Sequence, residues 1–113
     1  MTTIYHNPRC SKSRQALERL RDRGIEPEII RYLDAPPSVE KLRELIAAAG
    51  IAVHDAVRTK EAEYRELGLS PATPDDELLA AMAAHPRLIE RPFVVTEKGV
   101  RIARPTEAID EIL

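Results

Sequence analysis

At 113 residues, with a formal charge of −2 and 43% hydrophobic residues, the chain is long enough to bury one core and is read as a single domain over 1–113. That charge balance excludes a nucleic-acid-binding domain, which is usually strongly basic. No apolar run is long enough for a membrane span, and no basic-then-apolar leader precedes the first strand pattern, so a cytoplasmic location is expected.

Thr2 to Tyr5 predicts a short strand, broken at Asn7-Pro8 because a residue before proline is pushed out of helical geometry. From Ser11 to Arg23 the stripe Ala16, Leu17 and Leu20 predicts an amphipathic helix, with Gly24 just past its end. Glu28 to Leu33 predicts a second strand carrying Ile29, Ile30 and Tyr32. A strand, helix and strand this closely spaced imply a parallel pair with a right-handed crossover.

Ala35-Pro36-Pro37-Ser38 marks a break, and Ser38 is placed to cap the next helix. Val39, Leu42, Leu45, Ile46 and Ala49 share one helical face, ended by Gly50. Shorter helices are expected over Val53 to Val57 and Glu61 to Leu67. After a loop at Ser70–Pro74, Thr73 as cap, Pro74 at the first helical position and Asp75-Asp76-Glu77 in the first turn predict another helix. Its core side would be Leu78, Leu79 and Met82, and His85-Pro86 would end it.

The last third turns to strands. Phe93-Val94-Val95 and Val100 to Ala103 flank Thr96-Glu97-Lys98-Gly99, which has turn composition, so an antiparallel hairpin is expected. Arg104-Pro105 restarts a helix with Ile109 and Ile112 on its apolar side. The whole order predicts an α/β, thioredoxin-like fold. A mixed four-stranded sheet is built from a core of 1–34 and 87–113, with a helical insertion, 35–86, between the βαβ half and the ββα half.

The only cysteine, Cys10, falls where the first strand hands over to the first helix. Helix-start N–H groups lack intrahelical partners, and the macrodipole places partial positive charge there, which favours a thiolate. Arg9, Lys12 and Arg14 add cations. Such surroundings lower a thiol from about 8.5 to roughly 3.5–7.5. A lone cysteine is often a buried, inert small hydrophobe. Here the polar neighbours Arg9, Ser11, Lys12 and Ser13 argue against burial, because a buried site would have to satisfy them all. Cys10 is therefore read as an accessible nucleophile. It can close no internal disulfide, and with His6, His54 and His85 scattered it offers no metal-ligand spacing, so no metal is expected.

Three of the seventeen basic residues stand out by position. Arg91 precedes Pro92 at the start of a strand, Arg104 leaves the last strand before Pro105, and Arg58 sits where a short helix gives way. Element ends commonly present site residues. In a thioredoxin-like core, the Arg91-Pro92 bond would be cis and pack beside the nucleophile. The planar fork of arginine suits an oxyanion, so one thiolate with several guanidiniums reads as a site for covalent attack on such a substrate.

The chain closely resembles the glutaredoxin-coupled arsenate reductase family over nearly its whole length. The markers are Ile4 through Arg14, Arg31-Tyr32-Leu33, Pro36-Pro37, Tyr64 through Leu69, His85-Pro86, Glu90 through Val95, and Arg104-Pro105. The resemblance implies that Cys10 is catalytic and that Arg58, Arg91 and Arg104 bind the oxyanion. His6, Ser13 and Arg14 would tune the cysteine. It implies arsenate as substrate, glutathione as co-substrate and glutaredoxin as partner, with no bound cofactor, no nucleic acid and no membrane. Two segments depart from the family. Ser11-Lys12-Ser13 stands where a glycine- and threonine-containing segment is usual, and Arg58-Thr59-Lys60-Glu61 lacks an asparagine usual there.

Competing readings are separable. A phosphatase-type loop needs an arginine six positions after the cysteine, and position 16 is alanine. A glutathione-dependent thiol oxidoreductase would use Cys10 without the arginines. A polymerase-binding redox sensor of this fold would need a Cys-x-x-Cys pair, and position 13 is serine.

Overall fold

The computed structural model describes residues 1–90 and 92–113. Its contacts divide the chain into two units, Met1–Ala35 with Arg91–Leu113, and Pro36–Glu90. No helix among the described residues is long and apolar enough to cross a membrane.

The first unit holds a mixed four-stranded sheet in the order β2-β1-β3-β4, with β1 at Thr3–His6, β2 at Glu28–Arg31, β3 at Phe93–Thr96 and β4 at Gly99–Ile102. β1 and β2 are parallel, with Ile4 opposite Ile29 and His6 opposite Arg31. β3 runs antiparallel to β1, Tyr5 facing Phe93, and β4 antiparallel to β3, Phe93 facing Ile102. This is the expected thioredoxin-like arrangement. Its register brings the last residues of β1, β2 and β4 and the first of β3 to one end of the sheet. Ala103 N–H donating to Pro92 O, at 2.9 Å, carries the β3–β4 pairing past the strands toward that end.

Helix α1, Ser11–Asp22, lays Ser13, Ala16, Leu17 and Leu20 on the sheet side. Those positions repeat at three and four residues, the spacing of one helical face. Ala16, Leu17 and Leu20 pack with Ile4, Val94, Ala103, Ile109 and Ile112. The helix stops where Gly24 adopts φ +76°, letting the Ile25 and Gly24 N–H groups turn back to the Leu20 and Arg21 carbonyls. Edge strand β2 is more exposed than its apolar sequence suggests, and Ile29 remains 39% exposed.

The closing helix differs from expectation. Thr106–Ile112 is 3₁₀ rather than α. In a 3₁₀-helix residues i and i+3 lie above one another, which puts both Ile109 and Ile112 against the core. It is fastened to α1 from outside: Arg19 Nε and Nη2 donate to Asp110 Oδ1 and Oδ2 at 2.8 and 2.5 Å, and Arg23 Nη2 lies 3.2 Å from Oδ1. Arg19 in the last turns of α1 and Arg23 at its C-cap are four apart, so one carboxylate meets both. The Arg19 hydrogen bonds hold the Asp110 carboxyl below its usual range. A lowered folded-state value stabilises the fold above about pH 4, and that stabilisation is lost as pH falls through it. Asp110→Asn should therefore lower the melting temperature at neutral pH and flatten the acid limb of a melting profile. A variant melting like the parent at both pH 7 and pH 4 would contradict this.

The second unit is helical: α2 at Val39–Ala49, α3 at Ala62–Glu66 and α4 at Asp75–Ala84, with 3₁₀ turns at Val53–Ala56 and Pro86–Leu88. Ser38 Oγ accepts from Lys41 N–H at 3.1 Å, capping α2 as expected, and Gly50 closes it at φ +71°. Leu42, Leu45 and Ile46 of α2 and Leu78, Leu79 and Met82 of α4 are buried where these helices pack. Each such side chain contributes about 1.5–3 kcal/mol on burial. α4 starts one residue later than expected. Pro74, extended at ψ 146°, is its cap, and Thr73 Oγ1 instead accepts from Ser70 N–H within the loop. The unit runs to Glu90, beyond the 35–86 expected. Val57 bridges Ile89, and Glu90 N–H donates to Ala56 O at 2.7 Å, tying that segment to the helices.

Candidate active site

β1 ends on His6, and the chain turns at once into α1. The turn is held by its own backbone and side chains. Cys10 N–H donates to Asn7 O at 3.0 Å, and Arg9 N–H to Asn7 Oδ1 at 3.0 Å. Arg14 Nη1, from the first turn of α1, donates to Pro8 O at 2.9 Å. Cys10 is the N-cap residue, extended at φ −97° and ψ 124°. Its carbonyl accepts from Arg14 N–H, while its side chain does not cap the helix. The first turn of α1 contains no acidic residue, and Arg9, Lys12 and Arg14 are exposed around it. These charges are of the sign that favours a thiolate.

The expected exposure is not observed. Cys10 is only 8% exposed and Ser13 is fully buried. The argument from polar neighbours fails because Arg9, Ser11 and Lys12 point outward while the cysteine turns in. Ser13 is buried with its hydrogen bonds satisfied. Its Oγ accepts from Asn7 N–H at 3.0 Å and lies 2.6 Å from His6 Nδ1. The signal for this was in the spacing: Ser13 stands three, four and seven residues before Ala16, Leu17 and Leu20, on the same stripe.

His6 is itself 6% exposed. Burial, then the positive charges of Arg21, Arg31 and Arg14, push its pKa below the usual histidine value. A neutral imidazole keeps one acceptor nitrogen. With Nδ1 as that acceptor, the Ser13 hydroxyl donates to it while its oxygen holds the Asn7 amide. One serine thus joins β1, the turn and α1.

The structure brings His6, Cys10, Ser13 and Arg14 together. Arg104 follows Ala103 out of β4 at the same end of the sheet. Its side chain is exposed, its N–H donates to Ile102 O at 2.8 Å, and the Arg104–Pro105 bond is cis. Arg31, the last residue of β2, stands in register with His6 and pairs with Asp34 at 3.4 Å; sequence reasoning did not select it. Asn7, treated in the sequence only as a strand breaker, braces the turn. Arg91, and with it the expected cis bond to Pro92, lies outside the described residues. Arg58 belongs to the second unit, where its Nη1 is 2.5 Å from Glu61 Oε1. Among the described residues no group of three or more His, Cys, Asp or Glu side chains is placed to hold a metal ion.

The profile of the ArsC family matches residues 5–112. An arsenate reductase of Rhizobium meliloti is 51% identical over 112 residues, covering 98% of this chain and 80% of that protein. An arsenate reductase of Escherichia coli K12 is 49% identical over 112 residues, covering 98% of this chain and 79% of that protein. The solved arsenate reductase from Vibrio cholerae superposes with a TM-score of 0.95 at 49% identity, covering 99% of this chain and 97% of that one.

Proposed function

This chain belongs to the ArsC family, and from that premise we propose that it reduces arsenate to arsenite through a Cys10 thiolate, drawing electrons from glutathione and glutaredoxin. The observation that carries the reading is the position of its only cysteine, at the amino end of α1 with Arg9, Lys12 and Arg14 around it and no acid in the first turn.

Arsenate is mostly doubly charged near neutral pH, so a bare thiolate repels it. Guanidiniums offset that repulsion and orient arsenic for attack. Arg91 and Arg104 take this role, and His6, Ser13 and Arg14 keep the thiolate poised. The Cys10 sulfur bonds to arsenic, and one oxygen leaves as water after protonation. Arsenic(V) then gains two electrons. The chain has no second cysteine to supply them. Two outside thiol groups do so, ending as one disulfide, while arsenite departs and the Cys10 thiolate is restored. No metal or nucleotide takes part.

Arsenite formation with glutathione and glutaredoxin, beside deglutathionylation of a glutathionylated peptide, tests the reading. Turnover on arsenate is expected to need both thiol donors. Activity on the peptide alone would assign a general thiol oxidoreductase instead. Within this scheme Arg104→Ala removes a charge-assisted pair of hydrogen bonds to the substrate. Its kcat/KM for arsenate should fall about 10- to 100-fold, as expected for bonds of about 1.5–3 kcal/mol. Unchanged arsenate kinetics would take Arg104 out of the site.

A further inference from the structure

We propose that Arg9 and Lys12 form a subsite beside Cys10 for the carboxylates of the thiol donor, glutathione. The proposal rests on glutathione being that donor, as read above. No acidic residue precedes Glu18 in the chain, so the turn after β1 and the first turn of α1 carry only neutral and cationic groups. Elsewhere in the first unit arginines are matched by carboxylates: Arg19 and Arg23 by Asp110, Arg21 by Glu26, Arg31 by Asp34 and Arg101 by Glu111. Arg9 and Lys12 differ. Both are exposed, and among the described residues neither the Arg9 guanidinium nor the Lys12 ammonium has an ion-pair or hydrogen-bond partner. Arg14, the third cation here, is tied to the turn through Pro8 O at 2.9 Å.

The two cations stand on either side of the sulfur in the chain, Arg9 just before Cys10 and Lys12 two residues after it. Glutathione has the matching order, a thiol between two terminal carboxylates. A guanidinium fork holds a carboxylate through two parallel hydrogen bonds, and an ammonium holds one as a point charge. Their backbones are fixed while their charged ends stay open to solvent. Arg9 N–H is bonded to Asn7 Oδ1 at 3.0 Å, and Lys12 lies within α1. Lys12 belongs to Ser11-Lys12-Ser13, the segment that departs from the family, so the subsite is a property of this chain. Unmatched positive charge also raises the rate at which an anionic partner arrives.

The test uses the full chain without arsenate and follows Cys10 with two disulfides, anionic glutathione disulfide and neutral bis(2-hydroxyethyl) disulfide. In each reaction the Cys10 thiolate attacks one sulfur, a mixed disulfide forms, the original S–S bond breaks and one thiolate leaves. Both reagents meet the same sulfur, so a change in its ionisation cancels in the ratio of the two rates. In the double variant Arg9→Gln, Lys12→Gln the preference for glutathione disulfide should fall about three- to tenfold, the size expected for two exposed ion pairs. In the parent it should fall likewise from about 0.01 M to about 1 M salt, as the Debye length shrinks from about 30 Å to about 3 Å. Lys98→Gln, in the turn at the opposite end of the sheet, should keep the parent ratio. An unchanged ratio in the double variant overturns the proposal, as does an equal fall in Lys98→Gln, which would make the effect one of net charge. Arsenite formation, assayed beside this, separates the two layers. An unchanged ratio with normal arsenite formation removes the subsite and leaves the arsenate reading. A shifted ratio in a chain that forms no arsenite keeps the subsite and removes arsenate as the substrate. A Cys10 that reacts with neither disulfide removes both.

Discussion

Cys10→Ser should abolish arsenite formation while leaving the fold intact. Serine is close to isosteric, and the backbone of residue 10 keeps both of its hydrogen bonds, to Asn7 O and from Arg14 N–H. An alcohol in the same place stays protonated at neutral pH and cannot form the sulfur–arsenic bond. The expected result is turnover at background with a melting temperature near that of the parent. In the parent, alkylation rate against pH should report a thiol pKa below about 8.5, because the amino end of α1 and its exposed cations favour the ionised form. Residual turnover in the serine variant would move the chemistry to another group. A thiol titrating at or above the ordinary value would show that burial at 8% exposure outweighs the positive surroundings.

Ser13→Ala should be the most damaging single-atom deletion at this end of the sheet. Removing the hydroxyl leaves the buried His6 Nδ1 and the part-buried Asn7 N–H without their partner. An orphaned buried polar group costs about 1–3 kcal/mol, so the pair together should cost about 2–4 kcal/mol of stability. The pH dependence carries a second signature. His6 titrates below the usual histidine value, so its folded form resists protonation, and stability should decline as pH falls below about 6.5. Without the Ser13 hydroxyl donating to it, the neutral imidazole loses a partner that opposed protonation at Nδ1, and that decline should shrink. Chemical denaturation at pH 7.5 and pH 5.5 measures both. A variant within about 0.5 kcal/mol of the parent at each pH would mean that the serine is dispensable and that other groups hold the turn.

Much of the architecture could be read from spacing because its determinants are local. The stripe of Ala16, Leu17 and Leu20 and the glycine at 24 mark out α1 unaided, and Ser38 and Gly50 bracket α2. Thr73 and the last helix could not be read this way. Whether Thr73 caps α4 depends on Ser70 offering its N–H to the same hydroxyl. Whether Thr106–Ile112 is α or 3₁₀ depends on what Ile109 and Ile112 must meet in the core. The place of Cys10 at the start of α1 was legible from position, but its burial was not. Counting polar neighbours takes no account of direction, and α1 sends Ser11 and Lys12 outward while Ser13 goes in. Arg31 reached the site end through strand register, a long-range property that no local window contains. The pairing of Arg58 with Glu61 was available as a three-residue spacing of opposite charges.

The Asp110 clamp grips α1 at Arg19 and at its C-cap residue Arg23, far from the sulfur at the other end of a 12-residue helix about 18 Å long. That grip adds to the packing of Ala16, Leu17 and Leu20 in fixing how the helix is turned against the sheet. An event that unseats Thr106–Ile112 would therefore loosen the helix that carries Cys10 without touching any residue beside the sulfur.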